Sequence, residues 1–153
     1  MASAAQIGGK AAFLLGRVAL GGFFLYSGIN HFKSHRQMAQ YAGAKGVPLP
    51  DVAIPVTGAL LVAGGASLML GLRPKWGALA IIGFLAGVSP TMHNFWKVED
   101  PEQRQNDMIN FSKNVALAGA ALALLGVEEW PLSVAPGERV SAQITRRVRD
   151  LAA

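Results

Sequence analysis

The side chains able to do chemistry in this chain stand where their surroundings make them costly. Three histidines, His31, His35 and His93, and two isolated cations, Arg17 and Lys113, lie within or at the ends of stretches otherwise almost free of charge. A charged or strongly polar group inside a membrane-spanning helix persists where a partner, a ligand or a structural role offsets its cost. Ser27, Asn30, His31 and Ser34 are spaced 0, 3, 4 and 7, which puts them on one helical face. Ser89, His93 and Trp96 follow the same rule with Asn94 beside them, and Asn110, Lys113 and Asn114 share a third face. Any one of these residues alone is accounted for by hydrogen bonding between helices, which contributes about 0.6–2 kcal/mol in membranes. Together, imidazole and carboxamide groups around an ammonium suit an anionic or carbonyl-bearing ligand. His93, Asn94, Lys113 and Asn114 form the expected centre of that site, with Trp96, Asn30 and His31 beside it. Asp107 is the acid on the same segment that would neutralise Lys113 instead. No catalytic residue is assigned by these spacings.

Two further residues read as structural. Arg17 precedes His31 by about 14 positions, hence about 20 Å along a helix axis, and shares a face with Gly21 and Gly28. Small residues let helices approach closely, so that face is expected to turn toward the bundle with Arg17 as a pin. Its candidate partners are Ser67, backbone carbonyls, and Glu128 or Glu129. Pro90, one turn before His93, should kink its helix or free a carbonyl and so open room for a ligand. Gly83 and Gly87 form a GxxxG, expected to be a packing contact.

Apolar segments at about 11–30, 52–72, 76–96 and 108–127 carry these residues, each close to the roughly 20 residues that cross a hydrocarbon core. Only helices suit such spans, because lipid-exposed backbone must satisfy its own hydrogen bonds. The fold class is therefore an all-α membrane protein: a four-transmembrane-helix bundle, domain 11–127, between an N-terminal tail 1–10 and a C-terminal tail 128–153. The first segment contains Arg17 and has no small-residue cleavage site before Asn30 and His31, so it reads as a retained helix. A short loop helix is expected around Ser34–Ala44, closed by Gly46 and the run Val47-Pro48-Leu49-Pro50. Val140, Ile144, Val148 and Leu151, flanked by arginines, predict a basic amphipathic helix at 137–151 lying in the headgroup plane.

In 153 residues, 52% are hydrophobic and 15% charged, a membrane composition for one domain. The net charge of +5 sits largely beside membrane segments, where anionic lipid is the nearer partner than nucleic acid. The termini and the Arg73-Pro74-Lys75 loop hold seven basic residues against five in the other loops, which places both termini in the cytoplasm by the positive-inside rule. With no cysteine, the chain forms no disulfide, thiolate nucleophile or iron–sulfur site. No two histidines have ligand spacing on one helix, which argues against a metal site and against a haem held by His31 and His93.

Gly16-Arg17 through Phe24, Gly28, Ile29, Asn30, His31 and Phe32 resembles the opening of the DoxX family of small four-helix membrane proteins. Gly46-Val47-Pro48-Leu49-Pro50, the run from Gly64-Gly65 to Gly71-Leu72, His93-Asn94-Phe95-Trp96, Asp100-Pro101, Arg104, and Met108 through Lys113-Asn114 also fit, over about residues 13–127. The resemblance implies a cell inner membrane location and association with an oxidoreductase, because relatives include subunits of quinone-linked thiosulfate oxidation and members of assemblies with soluble partners. Many relatives carry an acidic residue early in segment two, where Thr57, Gly58 and Ala59 stand here. The expectation is a membrane subunit of an oxidoreductase that binds a quinone or small anion at the non-cytoplasmic end. The alternative is a non-catalytic accessory or assembly subunit. Its partners are the bilayer and other membrane or soluble redox subunits, or copies of itself; no intrinsic cofactor is expected beyond a quinone.

Overall fold

The computed structural model describes residues 4–128, 130, 131 and 133. These form five α-helices: α1 (Ala4–Lys33), α2 (His35–Ala44), α3 (Pro50–Leu70), α4 (Pro74–Met92) and α5 (Pro101–Leu125), with a 3-10 turn at Phe95–Lys97. Helices α1, α3, α4 and α5 are long and apolar enough to cross a bilayer, and the chain is a helical, multi-pass membrane protein. The helix expected at 137–151 lies outside the described residues, as does Glu129.

Several helix limits differ from the expected ones for identifiable reasons. Pro50, Pro74 and Pro101 each open a helix, so α3, α4 and α5 begin before Val52, Trp76 and Met108. Proline's fixed φ suits the first turn, and the N–H it lacks has no partner there anyway. Asp100 caps α5 by accepting a hydrogen bond from the Gln103 N–H at 2.8 Å. α4 stops at Met92 instead of Trp96. Pro90 deprives the Ala86 carbonyl of its in-helix donor, and the helix ends two residues later. α1 begins at Ala4, so the expected tail is already helical, and its 30 residues extend about 45 Å.

α2 follows α1 after a turn at Ser34 and closes at Gly46, whose φ of 81° is a left-handed conformation that suits glycine. α2 is tied to α3 by an unusual bond. Pro55 cannot donate to the Asp51 carbonyl four residues back, and His35 Nε2–H donates to it instead at 3.0 Å.

The helices pack in the order α1, α3, α4, α5. α1 and α3 approach at two glycine pairs. A Cβ on Gly21 would fall 2.7 Å from the Gly65 carbonyl oxygen, and one on Gly28 would fall 2.7 Å from that of Gly58. The face of Gly21 and Gly28 thus turns into the bundle, as their spacing with Arg17 predicts. Gly64 and Gly77 bring α3 and α4 together in the same way. Phe24, Leu61, Leu68, Ala78, Ile81, Leu85 and Ala121 form the core between them. α5 rests on α4, while α1 and α5 have at most marginal contact. At the end where α1 begins, Trp130 returns across the bundle to meet the Phe13 ring edge-on at 5.3 Å. The opposite end carries the site.

Candidate binding cavity

A cavity of about 720 Å³ occupies the end of the bundle where α1 finishes and α3 starts. Its volume is in the range of small-molecule pockets, about 300–1,000 Å³. Phe23, Phe24, Ile54, Leu60, Phe84 and Val88 make most of the wall apolar. Met38 and Tyr41 of α2 and the Val47-Pro48 segment cover it from the loop side. Phe23, Leu60, Gly83 and Gly87 also have exposed surface, so the cavity borders the region that lipid occupies. The GxxxG of Gly83 and Gly87 is therefore not a packing contact: nothing lies within 4 Å of a Cβ built on either residue.

The polar groups of the wall come from three helix ends. His31 of α1 is 6% exposed, and its Nδ1–H donates to the Ser27 carbonyl at 2.8 Å. The Phe84 ring meets it edge-on with centroids 6.0 Å apart. His93, just past α4, and Lys113 and Asn114 of α5 also line the cavity. Lys113 donates to Asn110 Oδ1 at 2.8 Å and forms no ion pair among the described residues.

Asp107 instead serves His93 and Lys45. It is 2% exposed, with Oδ2 3.3 Å from Lys45 Nζ and Oδ1 accepting from His93 Nδ1 at 3.2 Å. A buried carboxylate is tolerable when its oxygens are paired in this way. The pairing joins the end of α2, the end of α4 and the first turns of α5, and holds His93, which lines the cavity. Sequence reasoning set Asp107 against Lys113 and overlooked Lys45. The spacing of Asp107, Asn110 and Asn114 on one face was the available signal for Asp107; nothing local marks Lys45 as its partner.

The DoxX family model matches residues 12–94, more than half of the chain. The chain belongs to the DoxX family. It is also 29% identical over 111 residues to the inner membrane protein YphA of Escherichia coli (strain K12), covering 72% of this chain and 79% of that protein. No solved structure matches. The DoxX match takes in α1 from Ala12, α2, α3 and α4, and hence Arg17, the paired glycines, His31 and His93. Asp107, Lys113 and Asn114 lie beyond it.

Other residues expected at the site fall beside the cavity rather than on its wall. Asn30 Oδ1 accepts from the Ser34 hydroxyl at 3.3 Å. The Asn94 carbonyl closes the 3-10 turn by accepting from Lys97 N–H. Trp96 joins Phe95 and Phe111 in a triad of edge-on rings, centroids 5.1–5.7 Å apart. These residues shape the end of α4 and the entry to α5. Among the described residues no three His, Asp or Glu side chains are grouped to hold a metal ion.

Arg17 lies at the other end, 2% exposed. Its guanidinium carbon is 6.0 Å from the centre of the Trp130 ring, a cation–π arrangement. It also stands against the C-terminal turn of α3: a Cβ on Gly71 would fall 2.9 Å from Arg17 Nη1. A helix C-terminus carries partial negative charge, which suits a cation there. The Ser67 hydroxyl, expected as a partner, donates to the Leu72 carbonyl at 2.6 Å.

Proposed function

We propose that this DoxX-family chain is the membrane subunit of an oxidoreductase and takes a quinone in the cavity beneath α2. The observation that carries this reading is one apolar cavity of about 720 Å³, bordering lipid, with His31, His93, Lys113 and Asn114 on its wall. A flat, lipid-soluble ring with polar oxygens suits such walls, and when bound it supplies reversible two-electron chemistry. The Lys113 ammonium and the Asn114 amide are the donors for a carbonyl oxygen. α2 covers that end, and the Asp107 pairing fastens it to α4 and α5. The location is the inner membrane, with both termini in the cytoplasm and the cavity at the opposite side, as the Arg73 and Lys75 charges favour.

Titration of the purified protein in detergent with decylubiquinone tests the ligand. Hydrogen bonds from charged donors contribute about 1.5–3 kcal/mol, so Lys113→Ala should weaken binding by about tenfold or more. Equal affinity in both proteins removes Lys113 from the site, and no saturable binding removes the quinone. Thiosulfate binding in place of quinone binding would make the cavity a small-anion site. The chain has no cysteine to form a thiolate or iron–sulfur electron carrier, so a partner subunit must supply the other half of a redox reaction. The same lack favours the second reading, a non-catalytic accessory or assembly subunit. Quinone titration alongside co-purification in mild detergent separates the two: a chain that binds quinone argues against the accessory role, and one that co-purifies with partners yet binds no quinone favours it.

A further inference from the structure

Among the polar groups of the cavity, His31 has the most constrained chemistry. Its Nδ1 faces a backbone carbonyl, which has no proton to give, so Nδ1 carries the hydrogen and donates it at 2.8 Å. In the neutral imidazole Nε2 is then a bare acceptor. The described contacts of the ring are that bond and the edge of Phe84, and neither occupies Nε2. The residue is 94% buried by its 6% exposure, and it lines the cavity. Unpartnered yet open to the cavity, Nε2 is left to water, and a ligand that fills the cavity and brings a donor replaces the hydrogen bond it displaces, whereas one without a donor does not. His93 differs in its surroundings: its Nδ1 is held by the Asp107 carboxylate, and its ring is more exposed than that of His31.

We infer that His31 makes the cavity selective for a hydroxyl-bearing aromatic ring, a hydroquinone or phenol, over the corresponding carbonyl or ether. The inference rests on the cavity being the quinone site proposed above, and it specifies the redox form retained there. A ring carbonyl can accept from Lys113 or Asn114 but has nothing to donate to His31 Nε2. A ring hydroxyl donates to Nε2, and its oxygen still accepts from a second group. The reduced carrier is thus the better fit at His31, and His31 is a specificity-determining residue. Oxidation of the carrier would remove the proton that holds it there.

A redox-inert probe pair isolates the hydrogen bond: 4-decylphenol and its methyl ether, 4-decylanisole, titrated into the full-length protein in detergent micelles. In the parent, the phenol should bind about threefold to tenfold more tightly than the ether, the worth of one neutral hydrogen bond. His31→Leu should abolish the preference while the ether still binds, and His31→Gln, whose amide places an acceptor at a similar reach, should restore part of it. Nitrogen-15 NMR of the parent provides a readout independent of variant folding: the Nδ1–H tautomer, with the Nε2 resonance shifted by the phenol and not by the ether. Equal affinity for the two probes, alongside saturable decylubiquinone binding, overturns the selectivity and leaves the quinone site standing. No binding of either probe or of decylubiquinone overturns both. An Nε2–H tautomer, or a haem absorption band in the purified protein, overturns the assignment of His31.

Discussion

Substituting Gly65 by alanine probes the contact on which the cavity wall depends. A Cβ added there would lie 2.5 Å from the Gly21 carbonyl oxygen and 2.5 Å from the Leu25 backbone nitrogen, whereas ordinary contact begins near 3.4 Å. Both obstacles are backbone atoms, so no side-chain rotation relieves them, and α1 must move from α3 by about 0.9 Å locally. A gap of that size forfeits about a quarter to a half of the dispersion energy of the atoms left facing it. Overpacking of this kind costs about 1–3 kcal/mol, and the rigid obstacles put Gly65→Ala at the upper end. Alanine's better helix propensity offsets up to about 1 kcal/mol, which leaves a net loss of about 2 kcal/mol. Gly119→Ala is the matched control, because nothing lies within 4 Å of a Cβ at that position and α5 is helical there. It should be neutral or stabilising by up to about 1 kcal/mol. Unfolding in mixed detergent–SDS micelles, followed by circular dichroism, compares the two variants with the parent. Equal stability of Gly65→Ala and Gly119→Ala would refute the close approach of α1 and α3.

Other perturbations follow from individual bonds. Asp107→Ala leaves Lys45 and His93 facing each other without their carboxylate; loss of one partner of a buried pair costs about 3 kcal/mol, reduced here because Lys45 is partly exposed. Hydrogen exchange should then rise across α2 before it rises in α3, and unchanged protection of α2 would argue against Asp107 as its anchor. His35→Phe removes the donor that replaces the N–H missing at Pro55, a loss of about 1 kcal/mol measurable by the same SDS unfolding. Asp100→Ala removes the cap of α5 and should cost about 1 kcal/mol, whereas Asp100→Asn should retain most of it.

The membrane-spanning helices were legible because long apolar runs admit few alternatives in lipid. Their starts were less so: apolar content alone pointed to Val52, Trp76 and Met108, while the proline at each N1 position extends the helix backward into polar sequence. Asp100 and Pro101 together carried the missing information for α5. Helical spacing brought His31, His93, Lys113 and Asn114 to one end of the bundle, and all four line the same cavity. It did not separate them from Asn30, Asn94 and Trp96, which stand beside that cavity, because a shared face says nothing about which side of that face a neighbour covers. The glycines show the same limit. Gly83 and Gly87 have the familiar motif yet stand open, whereas Gly21 and Gly28 are buried by two glycines of another helix at matching depth. Pairing across 62 residues, as between Lys45 and Asp107, is set by how the helices dock and leaves no local periodicity to read.

Photolabelling tests the cavity most directly. An azido-quinone with a short alkyl tail, bound to the protein in lipid nanodiscs and activated by light, should attach to residues of α1 from Phe23 to His31 and of α4 from Gly83 to His93. Excess decylubiquinone should compete the label away. Labelling spread over the lipid-facing residues Leu15, Val115 and Leu122, and insensitive to competitor, would contradict a quinone site between these helices.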